Sequence, residues 1–188
     1  MVQRLKGGSA DFETAFTALL GAKRESSSDV QAVVRDILDD VKARGDAALL
    51  ALTEKFDRFD VAAKGMRISA AEVDAACEQI DAATMEALNV AASRIRAFHE
   101  RQLPENIDYV DEVGVRLGQN WKAVQAAGLY VPGGTASYPS SVLMNAIPAS
   151  VAGVSRVVMV VPTPDDTLNP LVLAAAQLGE VTEITRSG

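Results

Sequence analysis

The residues best suited to bind a ligand lie in one short stretch that joins a predicted strand to a predicted helix. Tyr130 precedes the turn Pro132-Gly133-Gly134, and the hydroxyl side chains of Ser137, Tyr138, Ser140 and Ser141 follow it. Two adjacent glycines after a strand permit positive φ angles and let backbone amides approach a ligand closely. The helix that we predict from about Val142 would present unpaired amides to an anion such as a pyrophosphate.

This stretch does not carry an established phosphate-binding signature. It is not GxGxxG, and it lacks the lysine of a P-loop. Nucleotide or anion binding and a purely structural loop therefore both remain open from the residues alone. Tyr130, at the end of its strand, could stack on a nucleotide base or pack its ring against the protein.

Residues for acid–base or metal chemistry are few. His99 is the only histidine and Cys77 the only cysteine, and they lie on different predicted helices, so they cannot complete a four-ligand zinc site. His99 continues the apolar line of its helix, which favours a hydrogen-bonded structural histidine. Cys77, among alanines, is predicted to be a buried structural thiol. The carboxylates show only the spacing of solvated helix faces.

The elements around the loop predict an α/β fold. An apolar strand (Leu129 to Val131), the loop, an apolar helix and the apolar strand Val157 to Val161 form a βαβ unit, whose loop lies at the carboxyl edge where parallel sheets bind ligands. A helix over Pro170 to Leu178 and a strand over Val181 to Thr185 extend it to βαβαβ, half of a doubly wound, mostly parallel (Rossmann-like) sheet. The alternating residues of Tyr109 to Val124 predict a half-exposed strand, antiparallel to Leu129 to Val131.

The first part of the chain is predicted to be helical. We expect one helix from Asp11 to Leu20 that Gly21 ends, and residues 30 to 56 as one kinked helix or two helices meeting at Gly45. Ser69 and Glu72 form a capping-box pattern before a helix over 70 to 80, and another helix runs from Ala82 to Leu103. Because composition shifts near residue 105, we place a boundary between a helical region (1–105) and an incomplete Rossmann-like domain (106–188).

Composition restricts the partners. The 188 residues carry a net charge of -7, which argues against nucleic acid because Lys and Arg nowhere cluster. No apolar run reaches the length of a membrane span, and the first residues lack the order of a signal peptide. We therefore expect a cytoplasmic protein.

The sequence resembles the histidinol dehydrogenase family. The match rests on GLYVPGGTASYPSSVLMNAIPASVAGV followed by VVMVVPTP, with support from KARGDAALLALTEKFDRFD and RIRAFHERQLP, and it covers most of residues 11 to 184. The resemblance implies an enzyme that oxidises L-histidinol to L-histidine through an aldehyde, the last step of histidine biosynthesis, with two NAD molecules and a zinc ion, as a homodimer. It implies that Tyr130 contacts NAD, with Pro132, Gly133 and Gly134 beside it.

The resemblance also indicates what is missing. The family's zinc ligands and Glu-His acid–base pair do not occur in this sequence, and the chain departs from the family's Gly-Gly-Ala-Gln segment at Thr185-Arg186-Ser187-Gly188. We therefore expect the N-terminal portion of a longer enzyme, with no catalytic residues, no zinc and no activity of its own. A sheet edge at Val181 to Thr185 or its neighbour should be unpaired and favour self-association. The alternative is a non-catalytic module that binds nucleotide or associates with protein.

Overall fold

The computed structural model describes residues 4–132 and 138–186, and the side chains in these ranges except those of residues 22–29. Gly133, Gly134 and Ser137 of the predicted loop therefore lie outside the described residues. The chain forms two compact units, Met1–Leu49 and Leu50–Gly188. The domain boundary that composition suggests near residue 105 stays a prediction.

The helices are α1 (Phe12–Arg44), α2 (Asp46–Asp57), α3 (Val61–Lys64), α4 (Ala70–Cys77), α5 (Ala82–Glu100), α6 (Pro139–Val151) and α7 (Pro170–Leu178). The strands are β1 (Arg67–Ile68), β2 (Ile107–Val110), β3 (Arg116–Gln119), β4 (Ala126–Tyr130), β5 (Arg156–Val161) and β6 (Glu183–Arg186). Among the described residues, no helix combines the length and the apolar character needed to cross a membrane.

The first unit contains one long helix where the sequence predicts a break. We expected Gly21 to end a short helix, but α1 continues through it to Arg44. A glycine inside a helix costs only about 1 kcal/mol relative to alanine, which the many helix-forming residues of α1 offset. The predicted interruption at Gly45 is confirmed: α1 ends there, and Gly45 adopts a positive φ of 58°.

The main sheet of the second unit has four strands in the order β1-β6-β5-β4. β4, β5 and β6 are parallel, as predicted, and α6 and α7 connect them. β1 pairs antiparallel with β6, with Ile68 opposite Ile184. The predicted unpaired edge is therefore wrong for Val181 to Thr185 itself, but its neighbour β1 is an edge strand among the described residues, and β4, at the other end of the sheet, is the longer edge strand.

The predicted pairing of residues 109–124 with the next strand is also wrong. β2 and β3 form a hairpin with each other, with Tyr109 opposite Leu117. The hairpin closes locally because the carboxylate of Asp111 accepts from the amides of Val113 and Val115, and Gly114 takes a positive φ of 87°. Both strands are exposed along their length, not half-buried.

The core of the second unit lies on one face of the main sheet. Alternate residues of β5 (Val157, Met159 and Val161) are buried, and Ile184 of β6 continues the row. α6 and α7 pack against each other, α5 packs against α6, and α4 packs against α7. The opposite face, which we call the open face, carries Gly128, Tyr130, Val158, Val160, Glu183 and Thr185, all of them exposed or half-buried.

Helix α4 begins with the predicted capping box. The Ser69 hydroxyl accepts from the amide of Glu72, and the Glu72 carboxylate accepts from the amide of Ser69. The Asp81 carboxylate caps α5 by accepting from the amide of Thr84. α5 ends at Glu100, three residues before the predicted end.

Candidate functional site

The carboxyl ends of β4 and β5 converge on a cavity of about 260 Å3. Pro132 lines it from the end of β4, and Val161 and Pro162 line it from the end of β5. Its remaining walls come from the connection to α7 and the first turns of that helix: Pro164, Thr167, Leu168, Asn169, Pro170, Val172 and Leu173. Such a position at the carboxyl edge is where open parallel sheets bind ligands.

Two ion pairs hold the connection after β5 in place. Arg58 binds Asp165 through two hydrogen bonds, with Nε to Oδ1 at 2.8 Å and Nη2 to Oδ2 at 2.6 Å. Lys64 binds Asp166 at 2.6 Å. Asp165 and Asp166 both adopt positive φ angles, of 55° and 57°. Non-glycine residues seldom take this conformation, and aspartate is among those that tolerate it.

The electrostatics of this connection are compatible with an anionic ligand. The Arg58 guanidinium, hydrogen-bonded to Asp165, lowers the pKa of that carboxyl below its usual range. Both aspartates are paired with cations, so they do not present uncompensated negative charge beside the cavity.

Two polar atoms near this connection are buried and, among the described residues, have no hydrogen-bond partner. They are the Thr163 hydroxyl, in a residue that is 0% exposed, and Oδ1 of Asp166. Buried polar atoms are usually hydrogen-bonded, so these two are exceptions to the general pattern. Thr163 does not line the cavity, and we assign it no ligand.

Tyr130 and Pro132 stand two residues apart at the end of β4, and only one of them lines the cavity. Tyr130 lies on the open face and is 64% exposed, while Pro132 forms part of the cavity wall. Gly133 and Gly134 lie outside the described residues. The structure therefore brings Pro132 to the cavity and leaves Tyr130 beside it with an accessible ring.

The amino end of α6 differs from the predicted one. The helix begins at Pro139, so Ser140 and Ser141 belong to its first turn and do not precede it. The amides of Ser141 and Val142 both donate to the carbonyl of Tyr138, at 3.0 and 3.4 Å. These two amides are therefore not available to an anion as the sequence suggested.

We did not predict Pro162, Asn169 or the two cations Arg58 and Lys64 from the sequence. A local signal for Asn169 was present, because asparagine before proline is a common helix start, and its side chain accepts from the amide of Leu171 at 2.8 Å. No local sequence signal identifies Arg58, because its partner Asp165 is 107 residues away in the chain.

The described residues do not fit a zinc site. No group of three or more His, Cys, Asp or Glu side chains in these ranges could hold a metal ion. His99 is half-buried on α5, with its ring edge-on to Phe98 at 5.3 Å. The Cys77 thiol, half-buried on α4, donates to Gln177 at 3.4 Å, and burial raises its pKa, which favours the structural thiol that we predicted.

The chain is similar to histidinol dehydrogenases in both sequence and fold. A family model described as histidinol dehydrogenase matches residues 21–188. The histidinol dehydrogenases of Bradyrhizobium diazoefficiens and Rhodospirillum rubrum are each 61% identical over all 188 residues. The match covers 44% of the first protein and 43% of the second, so the chain spans less than half the length of these relatives.

A solved structure supports the same relationship. The crystal structure of histidinol dehydrogenase from Elizabethkingia anophelis matches 85% of this chain and 36% of its own, with a TM-score of 0.79 and 31% identity. Sequence and fold thus agree over nearly the whole chain, and the chain belongs to the histidinol dehydrogenase family, a family of oxidoreductases.

Proposed function

We propose that this chain carries the NAD-binding side of a histidinol dehydrogenase site and that the groups for chemistry lie outside it. The observation that carries the proposal is the accessible ring of Tyr130 beside a cavity lined by Pro132, at the carboxyl ends of two parallel strands. We interpret Tyr130 as a nucleotide contact because the chain belongs to the histidinol dehydrogenase family and the resemblance implies such a contact at this residue.

The size of the cavity suits part of a dinucleotide. At about 260 Å3 it is slightly smaller than the roughly 300–1,000 Å3 typical of sites that enclose a whole small molecule. Pro132 and Pro162 offer rigid apolar walls, and Asn169 adds a polar side chain. Tyr130 would stack on a flat ring of the ligand from the open face.

NAD, when bound, would accept a hydride in the oxidation of L-histidinol to L-histidine through histidinal. The residues of this chain would hold and orient the nucleotide. The described residues supply neither the zinc donors nor an acid–base pair, so we derive no chemical step from them. We propose that this chain has no histidinol-dependent NAD reduction of its own.

Calorimetric titration with NAD tests the nucleotide site. We expect heat of binding with the unmodified chain, loss of that heat in Tyr130→Ala, and retention in Tyr109→Ala. Tyr109 is a suitable control because it is a similarly exposed tyrosine, 52% against 64%, on β2. Retention of binding by Tyr130→Ala would contradict the assignment of this residue.

Absence of binding by the unmodified chain would favour the second candidate, a non-catalytic module for protein association. The long edge of β4 favours that candidate independently, because in the part of the chain that the structure describes its outer side pairs with no other strand. The homodimer and the cytoplasmic location that we expect stay predictions. Light scattering over a wide concentration range and cell fractionation, respectively, would test them.

A further inference from the structure

We propose that a second cavity, at the opposite edge of the main sheet, binds an α-amino acid with an apolar side chain. The residues that carry this proposal lie outside the candidate nucleotide site, so it does not depend on whether NAD binds. Three features support it: the size of the cavity, its apolar inner wall and two opposite charges at its rim.

This second cavity has a volume of about 320 Å3, against about 260 Å3 for the cavity lined by Pro132. It lies between α4 and α7, beside the pairing of β1 with β6. Its lining includes Val181 and Thr182, which immediately precede β6, so it lies at the amino ends of the parallel strands. The volume falls within the roughly 300–1,000 Å3 typical of small-molecule sites.

The inner wall of the second cavity is apolar. Ile68 of β1, Val73 of α4 and Ile184 of β6 line it and are all buried, and Val181 adds a further apolar side chain. All four are branched at Cβ, which restricts their rotamers and keeps the wall in one shape. Such a wall favours an apolar group of a ligand, because contact with it removes apolar surface from water.

Arg67 supplies a positive charge at the rim. Its Nη2 donates to Glu183, and among the described residues its guanidinium makes no other hydrogen bond. Glu183 also accepts from Arg156, with Nε to Oε1 at 2.7 Å, so one carboxylate is shared between two arginines. The remaining N–H groups of Arg67, whose side chain is 69% exposed, are therefore available to a ligand carboxylate.

Asp74 supplies a negative charge at the same cavity. Its Oδ1 accepts from Nε2 of Gln177 at 3.2 Å, which holds the carboxylate between α4 and α7. The Gln177 amide is itself oriented by the Cys77 thiol, which donates to its Oε1 at 3.4 Å. Among the described residues, Oδ2 of Asp74 accepts no hydrogen bond, so it is available to a ligand ammonium group.

An α-amino acid matches both charges and the wall between them. Its carboxylate would bind Arg67, its ammonium group would bind Asp74, and its side chain would contact the apolar wall. A ligand with only one of the two charges would leave either Arg67 or Asp74 without a partner. A charged side chain would lose its hydration against the wall, which is costly. L-Leucine, with a branched apolar side chain, is therefore the probe.

The test is NMR titration of the isotope-labelled full chain with L-leucine and two analogues. Isocaproate lacks the ammonium group of leucine, and isoamylamine lacks its carboxylate. We expect L-leucine to shift the amides of Ala70, Asp74 and Gln177 and to leave those of Leu168 and Asn169, at the other cavity, unchanged. It should bind about fivefold more tightly than either analogue, as expected for one exposed ion pair.

Two variants assign the charges. Arg67→Ala should reduce the preference for L-leucine over isoamylamine to within about twofold and keep the preference over isocaproate. Asp74→Asn, which keeps an acceptor for Gln177, should do the reverse. Arg156→Ala is the matched control, because Arg156 binds the same Glu183 but does not line the cavity, and it should keep both preferences. Absence of shifts around the cavity, equal binding of the three compounds, or an unchanged preference in either variant would overturn the proposal.

Discussion

The guanidinium of Arg186 and the carboxylate of Glu72, 114 residues apart in the chain, form an ion pair that joins the end of β6 to the first turn of α4. Arg186 is 0% exposed, and its Nη1 also donates to the carbonyls of Gly65 and Arg67. Glu72 shares its carboxylate between this arginine and the capping box. One pair therefore connects strand β1, strand β6 and helix α4.

Removing Arg186 should destabilise the protein strongly. Loss of one partner from a buried ion pair typically costs about 3–5 kcal/mol, because the other group keeps its desolvation without its compensation. Since Glu72 is half-buried, we expect Arg186→Ala to lower the free energy of unfolding by about 3 kcal/mol. Urea denaturation followed by Trp121 fluorescence measures it.

Arg67→Ala is the matched control for Arg186→Ala. Arg67 pairs with Glu183, but its side chain is 69% exposed, so its removal should cost about 1 kcal/mol or less. Similar losses in the two variants would contradict the role assigned to the buried pair.

Glu72 should also make stability depend on pH in the acid range. Its pKa is lowered, first because the Ser69 amide donates to the carboxylate, with help from the Ser69 hydroxyl and Arg186, while burial opposes the shift. A carboxyl whose pKa is lower in the folded state stabilises the fold fully above its unfolded pKa, about 4.3. That stabilisation is lost as pH falls through the lower, folded-state pKa.

The stability difference between the unmodified chain and Glu72→Gln should therefore be constant above about pH 5 and shrink on further acidification. Urea denaturation at a series of pH values measures this difference. The other carboxyls titrate in both proteins and cancel in the comparison. A difference that grows toward low pH would show that the sign is wrong.

The pairs Arg58–Asp165 and Lys64–Asp166 should control local order more than global stability. Arg58 and Asp165 have side chains exposed by 64% and 62%, and exposed pairs contribute about 1 kcal/mol or less. In the double variant Arg58→Ala/Lys64→Ala, we expect faster hydrogen exchange at Asp166 and Thr167, whose amides donate to Thr163 and Pro164 within the same connection. NMR-detected exchange measures this.

Arg116→Ala is a matched control for that double variant, because it removes an equally exposed pair with Asp108 in the hairpin. It should leave exchange after β5 unchanged. If the double variant also leaves that exchange unchanged, the ion pairs do not order the cavity wall.

The parts of the fold that the sequence predicted are those whose signals are local. The apolar run of β5, the turn before it and the apolar helix α6 lie next to each other in the chain, so the βαβ unit could be predicted from one window. The two residues of the capping box, Ser69 and Glu72, are only three positions apart in the chain. The β1–β6 pairing, which was not predicted, has the opposite character, since it joins Ile68 to Ile184 across more than a hundred residues.

The candidate site likewise contains residues that local sequence signals predict and residues that they do not. Pro132 follows its strand directly, and pattern and resemblance both pointed to it. The cavity wall formed by Pro162 and Asn169 depends on how the connection after β5 folds back. That path is held by Arg58, just after α2, and by Lys64, the last residue of α3, and no sequence spacing indicates these contacts. The predicted amide donors at α6 failed because the helix starts three residues earlier and its amides are already paired.

The close approach of α6 and α7 at Gly179 gives a further prediction. A Cβ on Gly179 would lie 2.5 Å from the Cβ of Ala146 and 3.2 Å from the carbonyl oxygen of Ala175. The backbone φ of Gly179 is −84°, which any residue can adopt, so only the contact excludes a side chain. Ala146 is 0% exposed and cannot move into solvent. We expect Gly179→Ala to destabilise the protein by about 1–3 kcal/mol through overpacking.

A double-mutant cycle separates this contact from other effects. Ala146→Gly alone should cost about 1 kcal/mol because it places glycine inside a helix. In Ala146→Gly/Gly179→Ala the contact with the Ala146 methyl group disappears, so the double variant should be more stable than the sum of the single losses by at least about 1 kcal/mol. Gly21→Ala serves as a control of opposite sign, because that glycine lies inside α1 with nothing near its Cβ position and alanine should stabilise the helix. Additive losses in the cycle would mean that α6 and α7 separate to accommodate the methyl group, and that the contact at Gly179 does not set their distance.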